Sequence, residues 1–227
     1  MTDAYAPVAA FWERDNKHCR SMSHWRQTIT DPTWLRLGEH CRKCVDFLME
    51  MTGEPEPDRI LEWGVGGGAN AAQFPAARYY AVDLSFDNLA EAERQYRGAG
   101  GTDFQSLPVP VGDPESIGVL VADCDLFLST YVFQHFPDNE YGERVMRIAF
   151  DVLRPGALAL VQVRTDVQEN VNRPYAERFT HAATWTETEF TDLLTRCGFR
   201  TVFARYAERP TGYLFFGAQK TNTQEAA

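Results

Sequence analysis

Residues 60–70 read Ile-Leu-Glu-Trp-Gly-Val-Gly-Gly-Gly-Ala-Asn, a short apolar run that enters a glycine-rich turn. Missing side chains at Gly64, Gly66 and Gly68 let a ligand lie against bare backbone. The stretch Asn70–Phe74 is predicted to begin a helix, stopped near Pro75, whose first amides would be free donors. Nineteen residues beyond Gly64, at the end of the next apolar run, stands Asp83. A carboxylate there can accept hydrogen bonds from both hydroxyls of an adenosine ribose. By spacing alone, Gly64-x-Gly66-x-x-Ala69 with a downstream acid also satisfies the dinucleotide fingerprint. Three features weigh against that second chemistry. Glu62 occupies a place that dinucleotide folds keep apolar, no Tyr-x-x-x-Lys occurs anywhere, and the chain lacks room for a separate substrate domain.

Other side chains could act on a second substrate. His135 follows an apolar run at 125–129, and an unperturbed imidazole titrates near neutrality, which makes it the candidate general base. It could equally be a packed histidine in the Phe133–Phe136 turn. Arg164, Asp166 and the segment from Asn170 to His181 follow another apolar run and should border an acceptor pocket. Arg173 or Arg178 could pair with an anionic group there, or be solvated loop charges. Cys41-x-x-Cys44, with His18, Cys19 and His40 close in sequence, suggests zinc only superficially. No second Cys-x-x-Cys or His-x₃-His pair completes a tetrahedral set, so no metal is expected. An apolar helix face explains the same cysteines.

Short apolar runs alternating with helical stretches must position these groups. Strands are predicted at 59–63, 79–82, 103–111 (a proline-interrupted edge), 125–129, 157–163, 200–206 and 213–218. Helices are predicted at 86–97, 141–153 and 187–197. Asp31-Pro32 marks a further helix start. From there Trp34, Leu35, Leu37, Cys41, Cys44, Val45 and Leu48 form one apolar face. Such alternation implies a mostly parallel sheet covered on both faces. The last two strands are joined too closely for a crossover helix and should pair antiparallel. The expected fold is α/β: a doubly wound, mostly parallel seven-stranded sheet with a reversed C-terminal strand and a helical N-terminal cap. Residues 1–55 would form the cap or lid, 56–220 the main domain and 221–227 a flexible tail.

The chain has 227 residues and a formal charge of −10, with lysine at only three positions (17, 43 and 220). No basic run offers replacement for phosphate counterions, which disfavours a nucleic-acid partner and favours a small acceptor. No run approaches a membrane span, and no secretory pattern opens the chain. A soluble cytoplasmic protein with reduced thiols is the expectation. Oligomeric state is not set by the sequence.

Residues 60–86 resemble the first two motifs of class I S-adenosylmethionine-dependent methyltransferases of the small-molecule type. Residues 126–138 (Leu-Phe-Leu-Ser-Thr-Tyr-Val-Phe-Gln-His-Phe-Pro-Asp) are similar to that family's segment after strand four. Residues 152–161 are similar to its approach to strand five. The likeness covers roughly residues 58–218. It implies S-adenosylmethionine as cofactor, with Gly64, Val65, Gly66 and Gly68 along the methionine portion. Glu62 would support the loop or bind the amino group through water. Asp83 would hold the ribose, Leu84 would lie against the adenine and Asp113 near its amino group. The Val-Gly-Asp-Pro-Glu stretch around Asp113 departs from the family's usual form. Trp25, with Trp12, His24 and Arg26, could fold over the cofactor as a lid or merely shield the sheet. The implied activity is methyl transfer to oxygen or nitrogen of a sugar, amino-acid-derived compound or secondary metabolite. An NAD(P)-dependent oxidoreductase and a non-catalytic cofactor-binding module remain the alternatives.

Overall fold

The computed structural model describes residues 5–12, 36–166, 174–207 and 212–221. Trp25, Arg173 and the helix start at Asp31-Pro32 lie outside the described residues.

Seven strands form one sheet: β1 (Arg59–Trp63), β2 (Arg78–Asp83), β3 (Phe104–Pro108), β4 (Cys124–Ser129), β5 (Leu153–Arg164), β6 (Phe199–Tyr206) and β7 (Tyr213–Lys220). Their order is β3-β2-β1-β4-β5-β7-β6. The first five are parallel, while β7 runs antiparallel between β5 and β6. Both expected features, the doubly wound order and the reversed last strand, are present. Because β1 leads outward to β2 while β4 starts the other half, the carboxyl ends of β1 and β4 flank a switch point. Ligand crevices form at such points in open α/β sheets.

Alternating residues of each strand divide the core between two faces. Leu61, Trp63, Phe127, Ala159 and Val161 fill one, beneath α4 (Asn139–Val152) and α6 (Glu187–Arg196). Ile60, Tyr79, Leu126, Leu128 and Leu160 fill the other, beneath α2 (Leu37–Thr52) and α3 (Phe86–Gly98). The predicted face of α2 is the buried one, with Cys41, Val45 and Leu48 turned to the sheet. By the same alternation, the buried polar residues Glu62 and Gln162 interrupt the second face. Each therefore requires partners inside the protein.

The remaining helix, α1 (Ala6–Trp12), and the short α5 (Tyr175–Arg178) lie together. Single 3₁₀ turns occur at 133–135 and 179–181, where no element was expected. The predicted helix after the glycines is also only a 3₁₀ turn, Ala71–Gln73, so no helix N-terminus faces the glycine loop. Pro75 explains this: it disfavours helical geometry at Phe74, which adopts φ −127° and ψ 54°. Among the described residues no helix is long and apolar enough to cross a membrane.

Candidate active site

A crevice of about 770 Å3, counted to its open mouth, lies at the carboxyl ends of β1, β2 and β4. On one side it is lined by Gly64, Gly66, Asp83, Leu84, Asn88, Val109 and Val111. On the other, Val8, Trp12, His135, Phe136, Pro137 and Tyr141 form the wall. Thr130, Tyr131 and Val132, the residues that follow β4, also line it.

The glycine turn is shaped by two close approaches. Gly64 has φ +76°, and a Cβ there would stand 2.4 Å from Cγ2 of Val132. Gly68 has φ +79°, and its Cβ would stand 2.6 Å from the Cα of Ala92 in α3. These two glycines therefore do different work. Gly64 lines the crevice, whereas Gly68 is a packing glycine that lets α3 close on the turn, and it does not line the crevice. Val65 is buried in the core, its amide donating to the carbonyl of Val82 at 3.1 Å.

Asp83 completes this side. Its Oδ2 accepts the Gly66 amide at 3.0 Å, and its Oδ1 accepts from the Ser85 amide at 2.9 Å and Asn88 Nδ2 at 3.2 Å. Burial raises its pKa and these donors oppose the rise. The carboxylate and the bare backbone thus meet in one place. A carboxylate facing an open crevice, beside a turn that a Cβ would obstruct, fits a ribose and the backbone-hugging chain of an adenosine cofactor.

Glu62 does not line the crevice. It is 2% exposed and accepts from Asn70 Nδ2 and the Tyr79 hydroxyl, both at 2.6 Å. Burial pushes its carboxyl up to about 8, against the pull of these two donors. Asn70 also donates to the Thr130 hydroxyl at 2.9 Å, so Glu62 ties the glycine loop to the end of β4. Of the two roles expected for Glu62, loop support is the one these contacts perform. Asp113 likewise lies off the crevice, exposed at the start of a 3₁₀ turn over 114–119 whose Pro114 and Ile117 are buried. Val109 and Val111, just before it, line the wall instead.

His135 does line the crevice, but both ring nitrogens are engaged. Nδ1 lies 2.8 Å from the carbonyl oxygen of Phe179, which can only accept, so Nδ1 carries the proton. Nε2, left with its lone pair, faces Gln134 Nε2 at 3.2 Å. The ring stacks on Phe179 and meets the edge of Trp12. Burial lowers its pKa to about 4, with the Phe179 carbonyl opposing. A neutral imidazole already accepting a hydrogen bond is a poor proton acceptor. His135 thus stands in the crevice wall with both ring nitrogens already hydrogen-bonded.

Arg164 and Asp166 form a bidentate pair at 2.6 and 2.9 Å at the end of β5, and His181 Nε2 reaches Asp166 at 3.3 Å. Arg164 also lies over the Tyr213 ring. Neither member of the pair lines the crevice. Arg178 donates to the Ala182 carbonyl from Nη1. Of the cysteines, Cys41 and Cys124 are buried, and Cys44 Sγ approaches His40 Nε2 at 3.7 Å.

Trp12, read as part of a lid or of a shield over the sheet, lines the crevice from α1, whereas Val8 one turn earlier, Asn70 and Gln162 escaped the sequence reading. The Trp12 indole donates to the Tyr175 hydroxyl at 2.7 Å, and that hydroxyl donates to the carbonyl of His135 at 2.5 Å. Asn70 was read only as a helix residue. Gln162, a lone amide in an apolar strand, carried a visible signal that was not followed.

A family model described as a methyltransferase domain matches residues 34–203. No curated protein is detectably similar in sequence. Among solved structures, magnesium protoporphyrin IX methyltransferase from Synechocystis, with S-adenosylhomocysteine bound, superposes with a TM-score of 0.70. The two share 13% identity, over 96% of this chain and all of that one. The N-methyltransferase NodS from Bradyrhizobium japonicum gives 0.65 at 15% identity, over 90% of this chain and 99% of that one. An O-methyltransferase family protein from Burkholderia thailandensis gives 0.61 at 13% identity, over 88% and 64% respectively.

Proposed function

The chain belongs to the methyltransferase-domain family and is an S-adenosylmethionine-dependent enzyme, and from that premise we propose that it methylates oxygen or nitrogen of a small metabolite. The observation that carries this reading is the meeting of Asp83 with the Gly66 amide at the crevice wall. S-adenosylmethionine supplies a sulfonium-activated methyl group. Asp83 binds the ribose hydroxyls, Gly64 and Gly66 offer bare backbone, and Leu84, Val109 and Val111 enclose the base. Glu62 acts through Asn70, holding the turn in place.

The acceptor enters on the side of Val8, Trp12, Phe136, Pro137 and Tyr141. That apolar, aromatic wall favours an amino-acid-derived or secondary metabolite with an apolar body over a bare sugar. With both His135 nitrogens engaged, the rate comes from alignment, which contributes on the order of 7–11 kcal/mol when reacting atoms are well oriented. Trp12 and Tyr175 exclude water from that approach. The net charge of −10 supports a small acceptor rather than a nucleic acid.

Isothermal titration with S-adenosylmethionine tests the reading: micromolar binding is expected. A folded sample that ignores millimolar S-adenosylmethionine yet binds NADH tightly would replace it with the nicotinamide alternative.

A further inference from the structure

Tyr131 has φ +61°, a left-handed backbone conformation that is unusual for a bulky side chain. It sits one residue past Thr130, between the end of β4 and the 3₁₀ turn that carries His135. The last paired residue of β4 is Ser129, opposite Val161 on β5. Two residues on, the Tyr131 amide donates to Gln162 Oε1 at 2.6 Å. Gln162 lies on β5 with no exposed surface, and its Nε2 is held by the Val163 carbonyl at 2.7 Å. The residues around it in the strand, Leu158 to Val161 and Val163, are all apolar and buried.

The geometry points to Gln162 as a positioning residue that fixes the left-handed kink at Tyr131 and thereby shapes the donor side of the crevice. The kink aims Val132 at Gly64, whose missing Cβ leaves the space the valine fills. It also leaves Thr130 within reach of Asn70 and so of the Glu62 tie. A left-handed non-glycine residue is strained and persists only where its surroundings impose it. The buried Gln162 oxygen does so by accepting the Tyr131 N–H, since breaking that bond would leave a buried polar atom unmet. The glutamine touches neither cofactor nor acceptor; it acts through Tyr131.

This inference rests on reading the crevice as the cofactor site, and the test separates the two. S-adenosylhomocysteine binding is measured by titration calorimetry for the wild-type protein, Gln162→Met, Gln162→Glu and Leu158→Val. Leu158→Val is a core change on the same strand that should lower thermal stability without touching the kink. Gln162→Met should weaken binding about tenfold, Gln162→Glu, which keeps an acceptor oxygen, should recover most of the loss, and Leu158→Val should stay within about twofold of wild type. Wild-type affinity in Gln162→Met, or the same loss in Leu158→Val, overturns the inference. Should Gln162→Met not fold, the Tyr131 amide of the wild-type protein decides it by hydrogen exchange. Protection comparable to that of β4 supports the tie, and exchange at the rate of an open loop refutes it. Absence of S-adenosylhomocysteine binding to the wild-type protein instead removes the cofactor reading itself.

Discussion

The two sides of the crevice are built on opposite principles. The glycine side is backbone: two glycines with positive φ, a carboxylate accepting from one of them, and a buried acid tied through Asn70 to Thr130. The opposite side is ring surface: Trp12, His135, Phe136 and Tyr141, with Tyr175 and Phe179 behind them. Backbone and hydrogen bonds impose one geometry and tolerate little change. Ring surfaces discriminate by shape and can be repacked. The first arrangement suits a constant ligand, the second an acceptor that differs between relatives.

The sharpest way to break this contrast is Gly64→Ala. A Cβ at 2.4 Å from Val132, on a residue with φ +76°, should cost roughly 2–4 kcal/mol of stability and abolish cofactor binding. Thermal melts and calorimetry would show it, and a variant that binds normally would mean the turn is pliable. Asp83→Ala comes next. Loss of the carboxylate that gathers Gly66, Ser85 and Asn88 should weaken S-adenosylhomocysteine binding by about 2–3 kcal/mol. Unchanged affinity there would displace the ribose from this wall.

On the ring side the effects should fall elsewhere. Trp12→Ala is expected to raise the acceptor KM about tenfold while the cofactor Kd moves less than twofold. A cofactor Kd that moved with it would erase the distinction between the two sides. His135→Gln should change kcat by less than about threefold. With the imidazole pKa lowered to about 4, the wild-type pH–rate profile should show no inflection near 6.5 assignable to it.

A last test, of pH dependence rather than binding, belongs to Glu62. Its folded-state pKa, raised to about 8, lies above the ordinary carboxylate value, so the folded protein holds a proton that the unfolded chain has released. Stability should therefore decline as pH rises from about 4.5 to 8 and level off above that. In Glu62→Gln this contribution disappears, so the melting-temperature difference between wild type and variant should shift against the wild type across that interval. A difference constant with pH would place an ionised carboxylate at position 62 throughout.

The same contrast accounts for what was legible in the sequence. Positive φ and close backbone approach demand glycine, and the demand repeats at short spacing, so Gly64 and Gly66 announce themselves beside Asp83. Strand alternation fixed the sheet because both faces are buried, leaving apolar runs that only a doubly wound sheet absorbs. The ring side left no such trace. Trp12 stood out only as one of several aromatic residues near the start of the chain and Val8 not at all, because tertiary packing across more than a hundred residues is what brings Trp12 to His135. Arg164 and Asp166 looked like acceptor ligands because they follow a strand, yet they neutralise each other beside Tyr213. Asp113 was expected at the adenine, but the wall there ends at Val111, and Asp113 is exposed just before the buried Pro114. The stop at Pro75 was legible, but the segment before it is too short for an α-helix and forms only the 3₁₀ turn Ala71–Gln73.

Helix α1 reaches the crevice from outside the strand–helix succession that builds the sheet. Altering the faces of Val8 or Trp12 asks nothing of strand register, of the glycine turn or of Asp83. On the proposed reading, acceptor range can therefore be redesigned by exchanging α1 residues such as Val8 and Trp12 while the residues proposed to grip the methyl donor stay unchanged.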